Sequence, residues 1–154
     1  MVHDRLHDPR TWIDLIGALG VLIGLIFVGL ELRNNTQAIR AETFQSLTDI
    51  SNDYIMQLAA DPELARIYHT ASANGLAALP PADSARYWSI ERAYWVRMQN
   101  VFSQYTRGTL EMEDFALYRA VICRGDLGAR EMWPEHRGIL TPAFIEFVED
   151  CWGL

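Results

Sequence analysis

Lysine is absent from this chain of 154 residues. Its 13 basic side chains are all arginine, and 20 acids oppose them for a net charge of -7. Binding along a phosphate backbone calls for a basic excess, so nucleic acid is disfavoured as a partner. The same deficit removes any general attraction to anionic lipid heads, and any membrane attachment has to be hydrophobic. Cysteine is scarce: Cys123 and Cys151 stand alone, too few for a disulfide scaffold in a chain this long. The expectation is a pair of half-buried thiols in a reducing compartment, with one disulfide in an exported domain as the alternative. No Cys/His cluster has zinc-ligand spacing. Gly-rich phosphate loops, a Gly-x-Ser-x-Gly element and His-Glu-x-x-His are all missing. Sustained apolar/polar alternation is missing too, which points away from strands and toward an all-α fold.

One long apolar run is present. No charged residue falls between Leu15 and Leu30. Extended from Trp12 to Leu32, the segment would form a helix of about 31 Å at about 1.5 Å per residue, against a hydrocarbon thickness of about 30 Å. Trp12 then sits where an interfacial ring belongs, and Asp14 and Glu31 lie near the wetted ends. A cleaved leader would want a basic start and a small-x-small site; neither is there. The chain therefore divides into a tail (1–11), a transmembrane helix (12–32) and a helical bundle (33–154). Gly17, Gly20 and Gly24 share one stripe of the apolar helix, and Gly20-x3-Gly24 has the spacing that lets two membrane helices approach closely. Self-association through this stripe is expected. Positive charge does not orient the span, because Arg5 and Arg10 precede it and Arg33 and Arg40 follow it.

Helix signals continue to the end. No Gly or Pro interrupts residues 30–61, so the membrane helix runs on into an amphipathic stretch carrying Phe44, Leu47, Ile50, Tyr54, Ile55 and Leu58. Asp61-Pro62-Glu63 reads as a cap, a first-turn proline and a dipole-matched acid, and Asn74-Gly75 as the stop. Pro81 opens a helix that lasts to Arg107, with Gly108 as its C-cap. Another runs from about Met112 to Cys123, a short one follows Asp126, and Thr141-Pro142 starts the last.

These elements resemble those of a family of small bacterial proteins of unknown function with one N-terminal transmembrane helix. The resemblance rests on Arg33-Asn34-Asn35-Thr36 after the apolar run, Asp61-Pro62-Glu63-Leu64-Ala65, Gln104-Tyr105 with Gly108, and Thr141-Pro142 with Phe144. It implies a membrane-anchored helical domain and brings no catalytic residues. Pro134 departs from the pattern and is expected to disturb the short helix around it.

Few residues point to chemistry. His3 and His7 have the spacing of a shared metal on a helix, but a solvated terminus is the expectation. His69 and His136 read as surface or satisfied core histidines. Glu111, Glu113 and Asp114 suit a helix start, and Glu146, Glu149 and Asp150 the wet face of the last helix. The stretch from Pro81 to Arg107 is the richest. Its apolar arc gathers Tyr87, Trp88, Ile90, Tyr94, Trp95, Met98, Val101, Phe102 and Tyr105, with Glu91 near the middle. A buried carboxylate needs a partner, and without lysine the expected one is arginine. Asn100 and Gln104 are candidates to bond a neighbouring helix, and Trp133 and Trp152 add to the expected core. The sequence expectation is a non-enzymatic membrane-anchored helical protein, without cofactor or metal. Its partners would be the bilayer, a second copy and an unidentified protein. A membrane-tethered sensor or enzyme with a pocket at Glu91, or an accessory subunit of a membrane complex, are the alternatives. The expected site is the bacterial inner membrane, with the trailing domain in the cytoplasm.

Overall fold

A single helix, α1, spans Pro9–Ala60 in the computed structural model, which describes residues 9–154. The proposed His3–His7 pair and most of the expected tail lie outside the described residues. Five more helices follow: α2 (Pro62–Asn74), α3 (Pro81–Thr106), α4 (Met112–Arg124), α5 (Leu127–His136) and α6 (Pro142–Trp152). Among the described residues there is no strand, so the fold is all-α, a long N-terminal apolar helix followed by a compact helical region.

The chain divides into two units, Met1–Ala41 and Glu42–Leu154. Within the first, the described apolar side chains are exposed: Leu19, Val21, Leu22, Ile23, Leu25, Ile26, Phe27 and Val28 all face outward. An 18-residue window here has a mean hydropathy of 2.5 with nothing buried. By length and composition the helix is apolar enough to cross a membrane. A Cβ placed on Gly17, Gly20 or Gly24 would meet nothing within 4 Å, so that stripe is open in the single chain.

Within the second unit, the end of α1 lays Phe44 and Leu47 on the bundle. The local start signals work as read. The Asp61 carboxylate accepts from the Glu63 and Leu64 amides and caps α2, and Arg66 reaches across to Asp83 at 2.6 Å, tying α2 to α3. α6 starts at Pro142, yet the Thr141 side chain makes no capping bond; the Thr141 amide instead donates to Gln99 of α3. Pro134 sits inside α5 without ending it. It lies in the last turn, where a missing N–H removes only one helical bond.

The core is aromatic and centred on α3. Trp95 is fully buried, with ring centroids 4.9 Å from Trp133, 5.7 Å from Trp152 and 6.3 Å from Phe144. Tyr105 stacks on Phe115 of α4 at 4.3 Å. A second cluster joins Ile67 and Ala71 of α2 to Tyr87 and Met132. Asn100 and Gln104 do not reach another helix: they bond each other, and Gln104 accepts from Thr109 in the following turn. Glu149 also departs from the expected wet face, because it accepts from the Trp133 indole and pairs with Arg137 at 3.1 Å.

The largest correction concerns the cysteines. Cys123 of α4 and Cys151 of α6 are joined in a disulfide, with Cα atoms 4.9 Å apart, and no free cysteine remains. The pair is distant in sequence but meets because α4 and α6 pack side by side. Between them the chain turns at Gly125, whose φ of +47° favours glycine. A Cβ there would also lie 2.6 Å from the Trp152 ring, and the Trp152 N–H closes the corner by donating to the Ile122 carbonyl.

Candidate functional site

The richest polar arrangement lies where α2, α3 and α5 meet. Residue spacing on α3 puts Tyr87, Glu91, Trp95 and Met98 on one inward stripe, and all four are buried. Glu91 is only 1 % exposed. The expected Glu91–Arg tie is not made: among the described residues no arginine pairs with it, and Oε2 has no hydrogen-bond partner. Arg124 of α4 lines the cavity beside Glu91 without pairing with it, and Arg97 covers the Tyr54 ring at 4.3 Å. The Trp95 indole nitrogen is likewise unbonded.

Beside Glu91 is a chamber of about 60 Å³, lined by Tyr68, Tyr94, Trp95, Asp126 and neighbours on α4 and α5. Such a volume holds about two waters at liquid density. Asp126 is fully engaged. Its carboxylate accepts from the Ala129 amide at 2.8 Å and so caps α5, from the Ser72 hydroxyl at 2.9 Å and from the Tyr87 hydroxyl at 3.4 Å. One side chain thereby links α2, α3 and α5. Gly128 makes this possible, since a Cβ there would lie 2.5 Å from the Tyr87 hydroxyl.

The electrostatics follow from burial. Removal from water, reinforced by the Asp126 charge, pushes the Glu91 carboxyl up to about 8. Glu91 is therefore a neutral acid near pH 7, able to donate as well as accept. Burial also raises Tyr68 to about 12, and lifts Tyr54, Tyr87 and Tyr94 above the ordinary phenol value. His136 on α5 is fully buried against Trp88, ring centroids 5.4 Å apart, with neither nitrogen bonded. Desolvation lowers it and keeps it neutral, so it is a core histidine, though not the hydrogen-bonded one expected. Among the described residues no three His, Cys, Asp or Glu side chains gather as metal ligands.

The sequence located Glu91 and its burial but not its surroundings. Asp126 was legible only as a helix start, and its ties to Ser72 and Tyr87 span 54 and 39 residues. Fold and site together define an all-α protein with an exposed apolar helix and a disulfide-linked bundle around a buried acid that has no cationic partner among the described residues. Beyond that class the chain stands by itself: no protein-family model, curated protein or solved structure matches it.

Proposed function

We propose that this is a non-enzymatic, single-pass protein of the bacterial inner membrane, working by association with a second copy and with other proteins. The observation that carries the reading is the exposed apolar segment of α1, with a mean hydropathy of 2.5 and no burial within its own chain. Such a surface costs too much in water to stay uncovered. A bonded Cys123–Cys151 pair supports an oxidising compartment for the bundle, with the N-terminus on the cytoplasmic side, in place of the cytoplasmic bundle expected from free thiols.

Fractionation tests the anchor. The full chain should stay with membranes through high-salt and carbonate washes and need detergent for release, and removal of residues 1–32 should free the rest. Recovery of the full chain in the soluble fraction would end the membrane reading, and a shortened, soluble mature form would show a cleaved leader instead. An accessory-subunit role would appear as stoichiometric co-purification from mild detergent.

The unpaired Oε2 of Glu91 favours one second reading, a sensor of a very small polar ligand. The chamber of about 60 Å³ limits that ligand to the space of about two waters. A thermal-shift screen of such compounds, repeated with Glu91→Gln, separates a ligand site from a chamber that holds water alone.

A further inference from the structure

An acid and a cation line one chamber without pairing. Glu91, in the middle of α3, is 1 % exposed, and its Oε2 is unbonded. Arg124, the last residue of α4, lines the same space of about 60 Å³. Arg124 is exposed, and among the described residues its guanidinium makes no ion pair. The chain turns directly after it at Gly125. The bond from Arg130 is to the Arg124 carbonyl, which leaves the Arg124 head free to change rotamer.

Charge accounts for the open arrangement. The titratable groups around Glu91 are Tyr54 from the end of α1, Tyr68 from α2, Tyr87 and Tyr94 from α3, Arg124 from α4 and Asp126 before α5. Burial keeps the four phenols neutral, so Asp126 and Arg124 are the charged members. The Asp126 carboxylate already accepts from the Ala129 amide and the Ser72 and Tyr87 hydroxyls. Arg97 is held over the Tyr54 and Tyr94 rings. While Glu91 is protonated it offers Arg124 no charge, and an exposed guanidinium keeps its hydration. Loss of that proton would leave two carboxylates beside a space of about two waters, one of them buried without a partner, which is too costly to persist. The long, flexible stem of Arg124 can bring its head inward while the helices stay in place.

We propose that Glu91 and Arg124 form a latch between α3 and α4, open while the acid holds its proton and closed into an ion pair once the proton leaves to solvent. The closed state sets a charge-assisted hydrogen bond in the chamber in place of water. It also fastens α4 at the residue after Cys123, next to the bridge to Cys151. The bundle thereby responds to alkaline pH with its own residues. The latch needs neither a ligand nor a second copy, so it stands apart from both readings above.

The test uses the full chain in detergent micelles, with carbon-13 on the glutamate carboxyls and the titration followed by NMR. The resonance missing from Glu91→Gln belongs to Glu91. Arg124→Gln removes the cation from an exposed position and should raise the Glu91 titration by about one pH unit or more, the amount by which a facing arginine lowers a carboxyl. Arg124→Lys keeps the charge and should retain most of the wild-type value. Arg119→Gln takes the same charge from α4 where it lines a different hollow, and should leave Glu91 unmoved. By linkage, Arg124→Gln should match the wild type in stability near pH 6, yet have a folded-to-unfolded ratio about tenfold lower near pH 9.5. Glu91 titrating alike in Arg124→Gln and wild type would overturn the latch. So would an equal shift from Arg119→Gln, or a wild-type Glu91 that titrates in the ordinary carboxylate range.

Discussion

Cys123, one residue before the end of α4, is bonded to Cys151, one residue before the end of α6. The bridge closes a loop of 28 residues that contains all of α5. It therefore fastens α4 to α6 independently of the aromatic packing between them.

A loop of that length is worth about 3–4 kcal/mol in chain entropy. Cys123→Ser, Cys151→Ser or reduction should lower the denaturation midpoint of the bundle by a corresponding amount, with the two serine variants alike and insensitive to reductant. Maleimide labelling of native membranes adds the compartment. Neither thiol should label before reduction. Ready labelling of both without reductant would return the bundle to the cytoplasmic side.

How much of this could be read from the chain depended on range. Asp61-Pro62 and Thr141-Pro142 announced helix starts because a cap or a first-turn proline acts within four residues, and both starts fall where expected, the second on its proline without a Thr141 cap. The apolar run needed no partner to be recognised. The Cys123–Cys151 bond and the tie of Asp126 to Ser72 and Tyr87 depend on which helices lie side by side, and no local pattern states that. Glu91 is the instructive case. Its place on an apolar arc announced burial, but the inference that burial brings an arginine pair failed: Arg124 lines the same chamber without pairing, and Arg97 lies over the Tyr54 and Tyr94 rings. The acid is accommodated by staying protonated instead.

The glycine stripe gives a second prediction. Because a Cβ at Gly20 or Gly24 meets nothing in the single chain, Gly20→Ile and Gly24→Ile should leave the folding of the bundle untouched. If two copies meet on this face, the added bulk holds their backbones apart. A membrane two-hybrid assay should then show weaker association for both variants, and a control such as Leu22→Ile should not. Equal association in all of them would remove the stripe from the interface.

The third prediction concerns pH. In the unfolded chain Glu91 titrates near its ordinary 4.5, and in the fold its carboxyl rises to about 8. Below pH 4.5 both states are protonated, and the contribution to stability is fully present. As pH rises, the unfolded chain ionises first, and stability is lost until the folded group also gives up its proton near pH 8. The slope approaches about 1.4 kcal/mol per pH unit. His136 acts in the opposite sense. Its folded value is lowered from 6.5, so its contribution is present above pH 6.5 and is lost as pH falls. The tyrosines around the chamber ionise only at much higher pH. The interval from about pH 6.5 to 8 therefore reports Glu91 with the least interference. Over it the wild type should lose stability steadily, as followed by tryptophan fluorescence in denaturant. Glu91→Gln carries no charge to bury. It should flatten the slope and be the more stable protein at pH 8, by about 1–3 kcal/mol. A Glu91→Gln variant that is less stable at every pH, with the slope unchanged, would mean that an ionised Glu91 has found a cationic partner after all.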